Sequence, residues 1–299
     1  MTSPMESRTT LAELNDGSPD DHFVARVGDV WEHAPWVALA VAAGRPFASV
    51  DALHQAMVAA VRALDESERV ALFAGHPELA GADARAGRMT NDSMREQGAL
   101  SLGRLPSEEN ERWGLLNRQY RERFGFPFIL CAKRHTRVSA LRCFERRLEH
   151  ERAQELEVTL QEIAHITRLR LAERIIDHGL QGIHGRLTTH VLDTSRGKPA
   201  QGMQVALFQL NSEDMAPITS AVTDAQGQTP QPLLSGAPLR IGSYEMRFHV
   251  GDYFRGHGIE SDWPFLDVVP VRFAIDEPEG DYHVPLTVTP WAYATYRGQ

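Results

Sequence analysis

The spacing of apolar residues changes once along this chain. From Phe23 to about Asp177 they recur at three- and four-residue intervals, and beyond Gly179, Gly182 and Gly185 they alternate. In SVDALHQAMVAAVRAL, Leu53, Met57, Ala60 or Val61, and Leu64 form one stripe behind the candidate caps Ser49 and Asp51, which predicts an amphipathic helix. SEENERWGLLNRQYRERFG predicts a second, capped by Ser107, with Trp113, Leu116 and Tyr120 on one side and Gly125 as a left-handed stop. FPFILCA is too short for a confident helix, and Pro127 biases Phe126 to an extended backbone, so a buried extended segment is expected there. A long helix should run from about Arg152 to Ile176 with Leu156, Leu160, Ile163 and Thr167 facing inward.

That stripe continues to Arg170. A helical arginine in line with core residues needs an anion or a ring of acceptors, because an unpaired buried charge costs several kcal/mol. Either a structural carboxylate or the carboxylate of an anionic substrate would serve.

Past the glycines the period is two. Val205 and Leu207; Tyr244, Met246 and Phe248; Val271, Phe273 and Ile275; and Tyr282, Val284, Leu286 and Val288 read as short strands of an all-β sandwich. The pattern predicts a helical domain over residues 14–178, a linker over 179–186 and a β domain over 187–299. In LTTHVLDT, alternation sets Thr188, His190 and Leu192 on one face, and in DYHVPLTV it sets His283 opposite the apolar Tyr282 and Val284. Both histidines point away from the core. Each could be an ordinary surface or hydrogen-bonded group or part of a metal-free hydrolytic site; no third ligand with zinc spacing is evident.

A length of 299 residues and 42% hydrophobic composition suit two cores. The net charge of −9 argues against nucleic acid as a partner and favours small molecules. Only Cys131 and Cys143 are present, which fits a reducing compartment, and no apolar run is long enough to span a membrane. A cytoplasmic protein without a membrane partner is the expectation.

HVLDTSRGKPAQGMQVALFQL, GSYEMRFHVGDYF and YHVPLTVTPWAYATYRG resemble the 5-hydroxyisourate hydrolase family of transthyretin-related proteins. The resemblance covers nearly all of residues 187–299. It implies a transthyretin-like sandwich, tetrameric assembly and metal-free opening of the six-membered ring of 5-hydroxyisourate. His190 and His283 would orient and deprotonate water, and Arg297 would hold substrate and stabilise negative charge. Gln228 stands where the family has arginine, and Gln299 where it has serine; both would lie in the substrate site.

FVARVGDVWEHAPWVALAVAAGRPFASV, AGHPELAG, NDSMREQGAL and FGFPFILCAK resemble the decarboxylases of 2-oxo-4-hydroxy-4-carboxy-5-ureidoimidazoline (OHCU). This implies an all-helical, commonly dimeric domain that uses no metal or organic cofactor. His76 would be the catalytic imidazole, Glu96 its acidic partner, and Arg170 the site arginine. Pro77 would shape the pocket, Ser93 and Gln97 would hold the ureido-imidazoline, and the main chain of Phe128, Ile129, Leu130, Cys131 and Ala132 would line it. His33 reads as an inter-helix structural histidine. The two resemblances together imply a bifunctional, homo-oligomeric enzyme converting 5-hydroxyisourate to (S)-allantoin. The alternative is a decarboxylase whose sandwich, with Gln228 and Gln299, is a weakened hydrolase serving assembly or binding.

Overall fold

Ser49 accepts the amide of Ala52 at 3.0 Å and starts a helix over Val50–Arg62, whose Leu53, Met57 and Val61 are buried as the spacing predicts. In the computed structural model, residues 8–81, 91–98, 100, 102, 105–176, 178–211 and 216–298 are described. Up to Arg174 the described helices are α1 (Leu11–Leu14), α2 (Asp20–Val27), α3 (Trp36–Ala42), α4 (Val50–Arg62), α5 (Glu66–Ala74), α6 (Asn91–Gly98), α7 (Ser107–Phe124), α8 (Arg137–Arg147) and α9 (Arg152–Arg174). α5 carries a capping box between Asp65 and Glu68. α7 is capped by Pro106, not Ser107, which is its first residue; the proline lacks only an N–H that a helix start leaves unpaired anyway. Gly125 ends it at φ 81°, a left-handed value that glycine adopts without strain.

Residues 126–131 then form neither helix nor strand and are buried throughout. Backbone groups out of water need partners, and here side chains supply them: Arg147 Nη1 donates to Ile129 O at 2.8 Å, and Cys131 N donates to Glu162 Oε2 at 2.8 Å. Arg147 is 1% exposed and Glu155 0%. Arg147 meets Glu155 Oε1 through Nε at 2.8 Å and Nη2 at 2.5 Å, while the Tyr120 hydroxyl donates to the same oxygen. Phe128 stacks on Phe144 at 3.9 Å, and the Arg147 guanidinium lies over the Phe128 ring.

α9 buries Leu156, Leu160, Ile163 and Thr167 as expected, but stops at Arg174. Ile175–Ile176 (β2) pairs in parallel with Thr9–Thr10 (β1), two-residue strands too short to show a period. The chain divides into two compact units, one of Met1–Lys133 with Ser139–Gln181 and a second of Arg134–Val138 with Gly182–Gln299.

The second unit contains β3 (Arg186–Thr188), β4 (Val191–Asp193), β5 (Lys198–Pro199), β6 (Gln204–Gln209), β7 (Thr219–Val222), β8 (Gly242–His249), β9 (Val268–Ile275), β10 (Asp281–His283), β11 (Leu286–Thr289) and β12 (Ala292–Thr295). The strands order as β12-β11-β4-β5, β7-β6-β8-β9 and β10-β3. Val191, Leu286 and Val288 from the first sheet share a core with Val205, Met246 and Phe248 from the second. The unit is not purely β: Val250–Arg255 forms a six-residue helix, α10, with Tyr253 and Phe254 buried. DYHVPLTV, which alternation reads as one strand, is split at Val284 and Pro285, since proline has no N–H for the ladder. LTTHVLDT breaks beside it at Thr189 and His190. Thr189 Oγ1 donates to Val284 O at 2.7 Å, and Leu286 N donates to His190 O at 2.8 Å, so the two interruptions hold each other.

Removing Arg147 would leave Glu155 buried without its guanidinium, with only Tyr120, Thr159 and His150 beside it among the described residues. Arg147→Ala is therefore expected to destabilise the helical unit by about 3–5 kcal/mol, measured by urea unfolding followed at the helix dichroism signal; a loss below about 1 kcal/mol would contradict this account. His54, its Nε2 3.0 Å from Thr167 Oγ1, is pushed down from 6.5 to about 4 by burial, with the Arg168 charge adding. The unfolded chain takes this proton near 6.5 and the folded one only near 4, so stability is lost as pH falls through that window. Unfolding midpoints should fall less steeply between these pH values in His54→Gln than in the parent.

Candidate active sites

α5 ends at Ala74 with Gly75 as its C-cap, and His76 follows with its amide on Phe73 O at 3.0 Å, ahead of Pro77. A narrow cleft of about 30 Å³, open to solvent, is lined by His76, Pro77, Ser93, Glu96, Phe128, Ile129, Leu130, Ala132 and Arg170, together with Leu79 and Ile166. Cys131, expected among the lining residues, is not one of them; it is buried, and its amide is used by Glu162. Gln97 belongs to α6, but its side chain lies outside the described residues.

Arg170 is 4% exposed and held from two sides. Nε and Nη2 reach Glu96 Oε1 and Oε2, each at 2.9 Å, a bidentate fork. Nη1 reaches Glu32 Oε2 at 2.9 Å and Val30 O at 3.3 Å, and Nη2 lies 3.4 Å from Ser93 Oγ. Burial works against the charge, but the hydrogen bonds and charges of Glu96 and Glu32 outweigh it and raise the guanidinium pKa. Both alternatives for Arg170 thus meet at one side chain. It has structural carboxylates, yet its fork faces a cleft where another carboxylate could compete with Glu96.

Glu96 was expected to partner His76, but its oxygens are engaged by Arg170. The carboxylate that acts on the imidazole is Glu32, which the sequence did not single out. Glu32 sits in VWEHAPW, where no helical or strand period marks an inward position; the only signal was an acid inside an apolar run. Its neighbour His33 is exposed at φ 53°, in a left-handed turn, and not packed between helices. His76 itself is pushed down to about 4, chiefly by burial, with Glu32 opposing and Arg170 adding to the shift. It is neutral near pH 7, and its Nδ1 has no hydrogen-bond partner among the described residues. A neutral, desolvated imidazole beside an anchored guanidinium can accept a proton from a bound ligand and return it.

In the second unit, the interruption at Thr189 and His190 sets the two predicted histidines together. β10 pairs with β3 so that His283 faces Thr188, and Thr188 Oγ1 lies 2.9 Å from His283 Nδ1. The same hydroxyl donates its single proton to Tyr282 O at 3.3 Å, so it accepts from Nδ1–H and leaves Nε2 with a lone pair. Burial lowers the His283 pKa, and the charges of His190 and Arg186 add to this. His190 Nε2 is buried without a partner among the described residues, and its backbone bridges Gln228, whose side chain is exposed. Two imidazoles with available Nε2 atoms can orient and deprotonate water.

Arg297 is not aimed at this pair. Its guanidinium lies over the Tyr282 ring, 4.9 Å from the centroid, with Glu277 at 3.8 Å, and its side chain is 63% exposed. What the tail brings to His283 is Gly298: its amide donates to His283 O at 2.8 Å, and a Cβ there would stand 2.5 Å from the imidazole Cδ2. Thr188 and Gly298 were missed as site residues, although alternation had already set Thr188 on the face of His190. Gln299 lies outside the described residues.

Residues 16–172 match the family described as OHCU decarboxylase, and residues 187–298 match the HIUase/Transthyretin family. A 5-hydroxyisourate hydrolase of Deinococcus radiodurans is 52% identical over 115 residues, 38% of this chain and 97% of that protein. A 2-oxo-4-hydroxy-4-carboxy-5-ureidoimidazoline decarboxylase of Halalkalicoccus jeotgali is 36% identical over 167 residues, 56% of this chain and 92% of that protein. Among solved structures, the crystal structure of an (S)-allantoin synthase covers 97% of this chain and 100% of its own, with 33% identity and a TM-score of 0.53. The chain belongs to the OHCU decarboxylase family through its helical half and to the HIUase/Transthyretin family through its β half.

Proposed function

We propose that this protein performs two consecutive steps of urate degradation, hydrolysing 5-hydroxyisourate to OHCU and decarboxylating OHCU to (S)-allantoin. The observation that carries the proposal is that each family match encloses its own set of candidate groups: His76 with Arg170 lining a cleft in one, His190 acting on His283 in the other. In the first step His283 Nε2 takes a proton from water as its oxygen attacks the carbonyl of the six-membered ring; the ring nitrogen leaves, is protonated, and a carboxylate is released. That carboxylate is the group lost in the second step. Its departure as CO₂ leaves an electron pair on the five-membered ring, and a proton must then arrive on one face. His76 performs this transfer, Arg170 receives the anionic group in place of Glu96, and Ser93, Gln97 and the main chain of Phe128, Ile129, Leu130 and Ala132 orient the ring.

The working form is proposed to be a cytoplasmic homo-oligomer. β12 is an edge strand among the described residues, and Trp291, Tyr293 and Tyr296 near it are exposed. A second copy at this edge would place further groups near His283. In a second reading, the hydrolase is weakened and the sandwich serves assembly; it is favoured by the uncharged Gln228 beside His190 and by the outward lie of Arg297.

Adding the full chain to freshly generated 5-hydroxyisourate should accelerate its decay and yield (S)-allantoin in excess, followed by circular dichroism. His76→Ala is expected to stop the sequence at OHCU and His283→Ala to slow the first step; unaccelerated decay with the parent chain would support the second reading. Gly298→Ala forces a methyl onto the His283 ring and should lower the hydrolase rate by about a hundredfold while leaving decarboxylation of supplied OHCU unchanged.

A further inference from the structure

We propose that Glu32 is a positioning residue of the decarboxylase site, fixing Arg170 and Ser93 from the side away from Glu96. The inference rests on the decarboxylase function proposed above and assigns a further residue to it. Glu32 follows the 3-10 turn Gly28–Val30, between the buried Trp31 and the left-handed His33. The turn at His33 sends that imidazole to solvent and leaves Glu32 facing inward, 4% exposed.

Both of its oxygens are used. Oε1 accepts from Ser93 Oγ at 3.1 Å, and Oε2 accepts from Arg170 Nη1 at 2.9 Å. With Arg170 Nη2 at 3.4 Å from Ser93 Oγ, the three side chains close a triangle. The two carboxylates on Arg170 are not equivalent. The Glu96 side chain is 13% exposed, takes the guanidinium fork and lines the cleft, whereas the Glu32 side chain is 2% exposed and does not line it. A ligand carboxylate entering the cleft would compete with Glu96 for the fork. Arg170 would still be pinned through Nη1 to Glu32 and to Val30 O, so it would receive the ligand without losing its orientation.

The charge of the same carboxylate also acts on His76. Besides burial, the groups acting on that imidazole are Glu32 and the Leu72 carbonyl, which favour its charged form, and Arg170 and His33, which oppose it. Glu32 alone among these supplies negative charge, so its neutralisation should lower the proton affinity of His76.

Glu32→Gln keeps the volume and one acceptor oxygen, which can stay on Arg170 while Ser93 Oγ turns to accept from the amide, and removes the charge. In the full chain it is expected to lower kcat for supplied OHCU by about tenfold or more, and to move the acidic limb of kcat/KM to lower pH, with hydrolysis of 5-hydroxyisourate unchanged. Parental kinetics, or a fall in kcat with the limb unmoved, would overturn the proposal, because a residue that merely fills space tolerates an isosteric amide. Should Glu32→Gln fail to fold, Glu32→Asp decides. It keeps the charge but cannot span Ser93 and Arg170 together, so kcat should fall with the limb in place, and parental kcat would overturn the role. A parent chain that does not decarboxylate OHCU would sink the proposed function, and this inference with it.

Discussion

A guanidinium taken out of water must be met by anions, and the helical unit imposes this requirement at both ends of α9. Near its start Glu155 is fully buried and binds Arg147; near its end Arg170 is buried and binds Glu32 and Glu96. Each unpaired member would cost several kcal/mol, so these side chains cannot drift to other partners without unfolding their surroundings. The first cluster fixes the extended segment through Ile129 O, and the second fixes the anion-binding fork. The cleft between α5, α6 and α9 is thereby organised before any ligand arrives.

The β unit reaches a comparable result with different means. Its histidines are positioned by two interruptions that lie side by side, at Thr189 and His190 and at Val284 and Pro285, and by a hydroxyl that fixes one imidazole tautomer. Gly298 passes close over that ring because it has no Cβ. In both units a working imidazole has its pKa lowered chiefly by burial, which keeps it uncharged and able to accept a proton near neutral pH.

Much of this was legible along the chain because the relevant signals are local. Ser49 and Gly125 act at one helix end each, the inward stripe of α9 follows from its period, and alternation set Thr188 and His190 on one face and Tyr282, Val284, Leu286 and Val288 on the other. The motifs that carry both resemblances are contiguous runs. What stayed hidden was contact between segments. Glu32 lies 138 positions from Arg170, and no spacing rule relates an acid in a turn to an arginine on a distant helix. The same holds for Arg147 and the Ile129 carbonyl, for Cys131 being drawn to Glu162, and for Thr188 against His283.

The sequence by itself determined the two halves, their helical and β character, the need of Arg170 for an anion and the faces on which the histidines stand, because periodicity and charge burial act residue by residue. Only the tertiary structure decided which anion answers which charge. Glu96 went to Arg170, Glu32 became the carboxylate whose charge acts on His76, and Arg297 lay over Tyr282 while Gly298 approached His283. Those pairings are chosen by distance and desolvation in the folded chain, and both exist only after segments far apart in sequence have packed together.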